Sequence, residues 1–158
     1  MSNDFLKYTG YAVVFEEVPD EITLVFNISN CPYRCEGCHS PELWKDCGKY
    51  LKSDFMDVVE KWKPYITCVC FMGDAGSDGR ELTQMCNYLH IQGLKAAIYS
   101  GCDIMKDYFK YFDYVKIGHY NPNAGALNCH TTNQRMYKKV KDAMVDITYR
   151  FQHTERRK

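Results

Sequence analysis

The feature that most constrains the fold of this 158-residue chain is a regular alternation of short apolar runs with amphipathic segments. In the run after Pro19, the side chains of Leu24, Phe26 and Ile28 recur at every second position, which is the period of a strand with one buried face. Later runs are β-branched and almost wholly apolar, which is typical of strands covered on both faces. We predict strands at residues 11–15, 22–28, 66–72, 94–99 and 114–117.

The segments between these strands carry helix signals. Leu82, Met85, Cys86 and Leu89 stand at i, i+3, i+4 and i+7, which predicts one apolar face of a helix. Gly93 follows as a residue suited to the end of that helix. We predict helices at residues 54–63 with Ser53 as the N-cap, from Asp78 or Gly79 to Gly93, at 103–111, and at 134–145 with Asn133 as the N-cap.

Strands alternating with helices predict βαβ units, and therefore an α/β fold with a mainly parallel sheet. The length predicts a single domain over residues 1–158 and is short of the roughly 250 residues of a complete eight-fold barrel. In parallel sheets ligands bind at the carboxyl ends of the strands. The small or polar residues that follow the strands are expected to meet at one edge; they are residues 29–31, 73–76, 100–102 and 118–120.

The first of these strand ends leads into a cysteine-rich loop. Cys31, Cys35 and Cys38 have the spacing C-x3-C-x2-C, so that three thiolates can converge on one inorganic centre. A structural zinc site usually has four ligands and favours C-x2-C pairs. Three thiolates suit a [4Fe-4S] cluster, in which a missing fourth cysteine leaves one iron open. An open iron at a strand end predicts a place to bind and reduce a substrate.

The loop at residues 31–39 resembles the cluster loop of radical S-adenosylmethionine (SAM) enzymes. The longer run from Ser29 to Trp44 is similar to that of the activating proteins of anaerobic ribonucleoside-triphosphate reductases, which also commonly have a glycine at the position of Gly37. The resemblance is close over residues 22–48, with weaker anchors at 72–76, 99–101 and 132–134. It implies an incomplete radical SAM β/α barrel.

The resemblance also implies a mechanism. A [4Fe-4S] cluster held by Cys31, Cys35 and Cys38 would bind SAM through its open iron and transfer one electron to it. The 5′-deoxyadenosyl radical that results would abstract hydrogen from a backbone glycine of the large subunit of the anaerobic ribonucleotide reductase. A one-electron donor such as flavodoxin or ferredoxin would reduce the cluster.

Further residues are implied as contacts for SAM. The backbone of Gly37, Cys38 and His39 would lie against the adenosyl group. Gly73 and Asp74 stand where the family has a Gly-Gly-acid segment that receives the SAM amino group, although Met72 replaces the first glycine.

The hydroxyl of Ser100 would hydrogen-bond the SAM carboxylate or ribose. Residues 117–120 lack the Asp that many family members carry there, so they imply no SAM contact. Residues 132–134 resemble a Ser-Asn-Gln segment of the family, and a plain helix cap explains them equally well.

The remaining cysteines and histidines have plainer interpretations. Cys68, Cys70 and Cys86 fall on predicted core faces, where free cysteine is common, so we expect them to be packing residues. Cys102 and Cys129 fall near the predicted strand-end edge. His39, His119 and His130 could be ligands, but a hydrogen-bonded loop histidine is the commoner case.

Composition limits the partners that we expect. Twenty basic and twenty acidic residues give a formal charge of zero. We therefore expect no binding to nucleic acid and none to an anionic membrane surface. The first seven residues are polar and unlike a signal peptide, and nine cysteines without such a signal indicate a reducing, cytoplasmic location. Residues 148–158 form a basic tail that we expect to fray.

Two alternatives remain open at this point. The nearer is another radical SAM enzyme, either a pyruvate formate-lyase activase or a small-molecule synthase like that of the deazapurine pathway. The more distant is a non-enzymatic iron–sulfur carrier or zinc module. The short chain favours an activase, because an incomplete barrel leaves a side open to a loop of a macromolecular substrate.

Overall fold

The structure is a computed structural model that describes residues 5–38 and 40–152. Within this part of the chain, eight strands form one sheet and two α-helices pack on it. The strands are β1 (Lys7–Val14), β2 (Thr23–Ile28), β3 (Lys49–Tyr50), β4 (Cys68–Met72), β5 (Lys95–Tyr99), β6 (Tyr114–Ile117), β7 (Arg135–Val140) and β8 (Ala143–Asp146). The helices are α1 (Leu51–Trp62) and α2 (Arg80–Ile91).

The sheet is mixed, in the order β3-β1-β2-β4-β5-β6-β7-β8. Its centre, β2-β4-β5-β6, is parallel, and both flanks are antiparallel. The predicted α/β class is therefore confirmed. The prediction of a mainly parallel sheet is wrong, since only three of the seven pairings among the described strands are parallel. The described sheet ends at β3 and β8 and does not form a barrel.

One face of the sheet, the helix-covered face, carries the larger part of the core. The rings of Phe26 on β2 and Phe71 on β4 stack with their centroids 6.2 Å apart, and Phe55 of α1 packs over both. The apolar side chains of α2 lie against β4 and β5 on the same side. All four residues of its predicted apolar stripe are buried: Leu82, Met85, Cys86 and Leu89.

The opposite face, the loop-covered face, has no α-helix on it in the described ranges. Its buried side chains come from alternate positions of the strands and include Val25, Cys70, Ala97 and Tyr114. Val18, Leu127 and Ile147 cover them from connecting segments. Burial on both faces explains why β2 is buried almost throughout, although its sequence predicts only one buried face.

The end of α2 agrees with its prediction. Gly93 has a φ of +80°, a left-handed conformation that glycine adopts without strain. Its N–H donates to the carbonyl of His90, and the N–H of Leu94 donates to the carbonyl of Leu89, as in a Schellman motif. The chain is thereby turned directly into β5.

Two of the helix predictions need correction in their extent, and a third is wrong. The first helix begins at Leu51 and has no side-chain cap, so Ser53 lies inside its first turn and is not the N-cap. Between residues 103 and 111 only a short 3₁₀ helix forms, at Asp107–Tyr111. It turns the buried rings of Tyr108 and Phe109 toward the helix-covered face.

The helix predicted at 134–145 is wrong, because this segment forms the hairpin of β7 and β8. Met136, Val140 and Met144 are compatible with a helical face, but Lys141 and Asp142 adopt φ values of 49° and 69° and reverse the chain between two strands. Pairing of β7 with β6 then places Met136 in the loop-covered core.

The predicted basic tail is in part a packed segment. Thr148–Phe151 forms a 3₁₀ helix in which Thr148 is buried, and Arg150 forms an ion pair with Asp20 at 2.9 Å. The rest of the predicted tail, from residue 153, lies outside the described residues. Among the described helices, none has the length and apolar character needed to cross a bilayer.

Candidate functional site

The cysteine loop leaves the sheet at the carboxyl end of β2 and is closed at its base by hydrogen bonds. The N–H of Asn30 donates to the carbonyl of Lys45 at 2.8 Å, and the N–H of Cys31 donates to that of Leu43 at 2.9 Å. The buried hydroxyl of Ser29 donates to the carbonyl of Cys47 at 2.6 Å. The beginning of the loop is therefore bonded to residues 43–47, the segment that returns to the sheet at β3.

From this base the loop crosses the ends of the parallel strands in order. Pro32 lies on Gly76 after β4, and Tyr33 lies on Gly101 after β5; a Cβ added to these glycines would stand 3.1 Å from Pro32 and 2.9 Å from the Tyr33 ring. Cys35 lies beyond β6, where its sulfur accepts a hydrogen bond from the N–H of Tyr120 at 3.3 Å. Three of the predicted strand-end clusters thus contact the cysteine loop.

Backbone N–H groups point to the cysteine sulfurs. Besides the bond from Tyr120 to Cys35, the N–H of Ser40 donates to the sulfur of Cys38 at 3.4 Å. Burial raises the pKa of the Cys31 thiol above its ordinary value, and backbone N–H groups of the next turn partly offset this. Thiolates at Cys35 and Cys38 would raise it further.

All three cysteines are half-buried and unpaired, and they provide three soft sulfur donors. Among the described residues, no three Cys, His, Asp or Glu side chains form a group that would hold a single metal ion. In a [4Fe-4S] cluster each thiolate binds its own iron, so the ligands surround a volume and do not meet at one point. N–H donors to the sulfurs, as seen here, are among the features that tune such clusters.

Asp74 follows β4 and is fully buried. Its carboxylate accepts hydrogen bonds from Lys106 at 2.7 Å, Tyr108 at 3.0 Å and Ser100 at 3.3 Å, and from the N–H of Gly76 at 3.0 Å. These donors nearly fill the acceptor capacity of a carboxylate. The structure thus brings the predicted residues Asp74 and Ser100 together, as partners of one another inside the protein.

The same network explains the shifted pKa values around it. Burial lowers the pKa of Lys106, but the hydrogen bond and charge of Asp74 outweigh burial and leave the pKa raised. Burial, followed by the charge of Asp74, raises the pKa of Tyr108 far above its usual value. Lys106 therefore stays charged and Tyr108 stays neutral, which is the state in which both donate to the carboxylate.

Of the two predicted glycines at this edge, Gly37 is exposed and Gly73 is half-buried. Gly37 has a φ of +75° and faces the ring of Tyr120, and Gly73 has a φ of +115° and donates its N–H to the carbonyl of Tyr99 at 2.7 Å. Both conformations favour glycine on backbone grounds alone. His39, the other residue predicted beside the third cysteine, lies outside the described residues.

The other cysteines and histidines fall as follows. Cys68, Cys70 and Cys86 have no exposed surface, and burial raises the pKa of each thiol, that of Cys86 to about 12. This confirms that they lie in the core. Cys102 and Cys129 are half-buried. His119 is a hydrogen-bonded loop histidine, since its Nδ1 lies 2.8 Å from a carboxylate oxygen of Asp103.

A cleft of about 610 Å³ opens beside the base of the loop. The beginning of β1, Ser29 and Asn30, and residues 75–78 line it, whereas none of the three loop cysteines does. The cleft is therefore adjacent to the thiols and separate from them.

Several residues of this edge were not predicted from the sequence. Lys106 and Tyr108 fall in a segment predicted to be helical, and nothing local signals that they bind the carboxylate of Asp74. The contact of Tyr120 with Cys35 joins residues 85 positions apart. Lys116 could have been noticed as unusual from the sequence, since it is the one charged residue in the otherwise apolar strand run at 114–117.

Comparison with known protein families gives no matching family, and no curated protein matches the chain.

The buried network around Asp74 leads to a prediction for stability. Asp74→Ala leaves the ammonium of Lys106 and the hydroxyl of Tyr108 without their acceptor, so we expect a loss of about 3–5 kcal/mol in the free energy of unfolding. Asp74→Asn keeps one acceptor oxygen and should lose less. Urea denaturation of the metal-free protein measures both.

The matched control for this prediction is Asp78→Ala in the same connection. Asp78 is exposed, and its ion pair within the described part of the chain is with exposed Arg80, so its loss should leave the free energy of unfolding nearly unchanged. If Asp74→Ala were as mild as Asp78→Ala, the carboxylate would not organise this edge, and a direct role in ligand binding would be the better explanation of its burial.

Proposed function

We propose that this chain is a radical SAM enzyme that activates the anaerobic ribonucleotide reductase. The observation that carries the proposal is the cysteine loop itself. Three half-buried thiols lie at the carboxyl ends of parallel strands, and backbone N–H groups donate to the sulfurs. This arrangement, together with the resemblance of residues 29–44 to the activases, supports the assignment.

Cys31, Cys35 and Cys38 would hold a [4Fe-4S] cluster. When bound, the cluster supplies one electron for the reductive cleavage of SAM, and the radical fragment so produced removes hydrogen from a backbone glycine of the reductase. The residues of the chain hold and orient these groups and exclude water from them. Half-burial of the thiols supports such a role, since it limits the access of solvent to the ligands.

SAM would lie along the strand-end edge beside the loop. We assign its binding to backbone groups near Gly37, Cys38 and His39 and to the turn at Gly73. Asp74 and Ser100, which the sequence predicted as direct contacts, act in this proposal through the buried network that fixes the turn. Met72 replaces the first family glycine and is half-buried on the loop-covered face.

The substrate would be a glycine on a loop of the large reductase subunit. The described sheet is open from β3 to β8, which leaves room for a loop of a macromolecular substrate in what would be an incomplete radical SAM barrel. A cytoplasmic one-electron donor such as flavodoxin or ferredoxin would supply the electron. The zero formal charge supports a protein partner over nucleic acid or a membrane surface.

The crossing of the loop over Gly101 predicts how the thiols can be displaced. In Gly101→Val the new Cβ would stand 2.9 Å from atoms of the Tyr33 ring, which is too close for two carbon atoms. The valine should therefore push the loop away from the strand ends. We expect the iron and sulfide bound after anaerobic reconstitution to fall several-fold, with the fold retained by circular dichroism. Gly10→Val is the control, because a Cβ at Gly10 meets nothing within 4 Å. Equal iron in both variants would show that the crossing does not position the cysteines.

The proposed activity is tested directly with the reductase. Mixed anaerobically with the reductase, SAM and a one-electron reductant, the chain should generate a stable carbon-centred doublet in the electron paramagnetic resonance spectrum of the reductase. Pyruvate formate-lyase should give little signal in a matched sample. A strong signal only with pyruvate formate-lyase would move the assignment to the other activase. Rapid turnover of SAM with a small metabolite and no protein partner would contradict activation of either enzyme.

A further inference from the structure

Lys116 occupies an unusual position for a lysine. It lies on β6, the last parallel strand of the sheet, and strand register places it beside Tyr99 on β5, which in turn pairs with Met72 on β4. These three side chains form the uppermost row of the loop-covered face, at the end of the sheet over which the cysteine loop crosses. Lys116 is half-buried, and its ammonium lies 5.2 Å from the centre of the Tyr99 ring.

No carboxylate of the described residues forms an ion pair with Lys116. The ionised forms of Cys70, Cys35, Glu17 and Cys38 would favour its charged form, although burial keeps the Cys70 thiol neutral. Burial is the largest influence on its pKa and lowers it, because the charged form loses water. Apart from the Tyr99 ring, the described residues give this half-buried cation no counter-charge in contact, so an anion that arrives with a ligand explains its position best.

The cysteine loop is where such an anion would form. Tyr120, four residues after Lys116, donates its N–H to the sulfur of Cys35, so the connection after β6 runs from the lysine to the loop. Thiolates at Cys35 and Cys38 would favour the charged form of Lys116. A centre bound by three thiolates carries net negative charge, and this charge increases by one unit when the centre takes up an electron.

We propose that Lys116 is the counter-charge of the centre held by the cysteine loop, and that it favours the reduced form of this centre. The inference rests on the proposed function, since it requires that the thiols bind an iron–sulfur cluster. A fixed positive charge stabilises the more negative redox state and so raises the reduction potential. The step is the uptake of one electron from an external reductant, in which no bond forms or breaks.

The test is a potentiometric titration of the anaerobically reconstituted protein, followed by electron paramagnetic resonance. In Lys116→Met, at a potential near the wild-type midpoint, we expect the ratio of reduced to oxidised cluster to fall about tenfold, which corresponds to about 59 mV for a one-electron couple. Lys116→Arg keeps the charge and should titrate close to wild type. Iron and sulfide contents are measured for every sample.

Lys138→Met provides a matched control. Lys138 lies on the neighbouring strand β7 with its ammonium 5.8 Å from the centre of the Tyr114 ring, and the charge of Asp20 acts on it. Removing it should leave the potential unchanged. The inference would be overturned if the cluster of Lys116→Met had the same midpoint potential as the wild-type cluster. It would also be overturned if Lys138→Met shifted the midpoint potential by an equal amount.

Two further outcomes are decided by cluster content. If Lys116→Met binds no cluster, retention in Lys116→Arg supports the counter-charge, and loss in both variants overturns it. A wild-type protein that binds no cluster would overturn the proposed function and this inference with it. A wild-type cluster whose potential does not respond to Lys116 overturns this inference alone.

Discussion

The carboxylate of Asp74 joins the segments on which the strand-end edge is built. It is fully buried and accepts hydrogen bonds from the turn after β4, from Ser100 after β5, and from Lys106 and Tyr108 of the following connection. A buried carboxylate is stable only when such donors surround it. Each of these segments is therefore held in one position by its hydrogen bond to the shared carboxylate. Gly76 and Gly101, on which the cysteine loop lies, belong to these same segments.

The cysteine loop therefore depends on contacts that are distant in sequence. Its base is closed by hydrogen bonds to residues 43–47, and its far side is held by Tyr120 after β6. Between these points it lies on two glycines, where a larger residue would leave no room for Pro32 and Tyr33. The loop spans the parallel centre of the sheet, so its three thiols are positioned by the strand ends as well as by their own spacing.

Local patterns in the sequence predicted the centre of this fold well. The apolar runs of β4, β5 and β6 and the apolar stripe of α2 depend on residues close together in the chain, and these elements agree with the structure. The same patterns gave a wrong prediction at residues 134–145. The spacing of the apolar residues there is compatible with a helix, but pairing with β6 favours a hairpin. The antiparallel direction of the flanking strands had no local signal, although one of them, β1, overlaps the strand predicted at residues 11–15.

The candidate site, like the fold, could be predicted from the sequence only in part. The three cysteines and the strand-end clusters could be found from the sequence, because their residue types and positions after predicted strands are visible there. The burial of Asp74, its bond to Lys106 and the place of the Lys116 ammonium beside the Tyr99 ring could not, since each depends on contacts made across the sheet. The structure thus gives Asp74 internal hydrogen-bond partners that its position in the sequence did not indicate.

The measurement that tests the account most directly is electron paramagnetic resonance of the anaerobically reconstituted and reduced protein, with and without SAM. The account predicts the signal of a [4Fe-4S]⁺ cluster, a change in that signal when SAM is added, and loss of the signal in Cys35→Ala. A colourless protein with one zinc and no sulfide, or a cluster signal that SAM leaves unchanged, would contradict it.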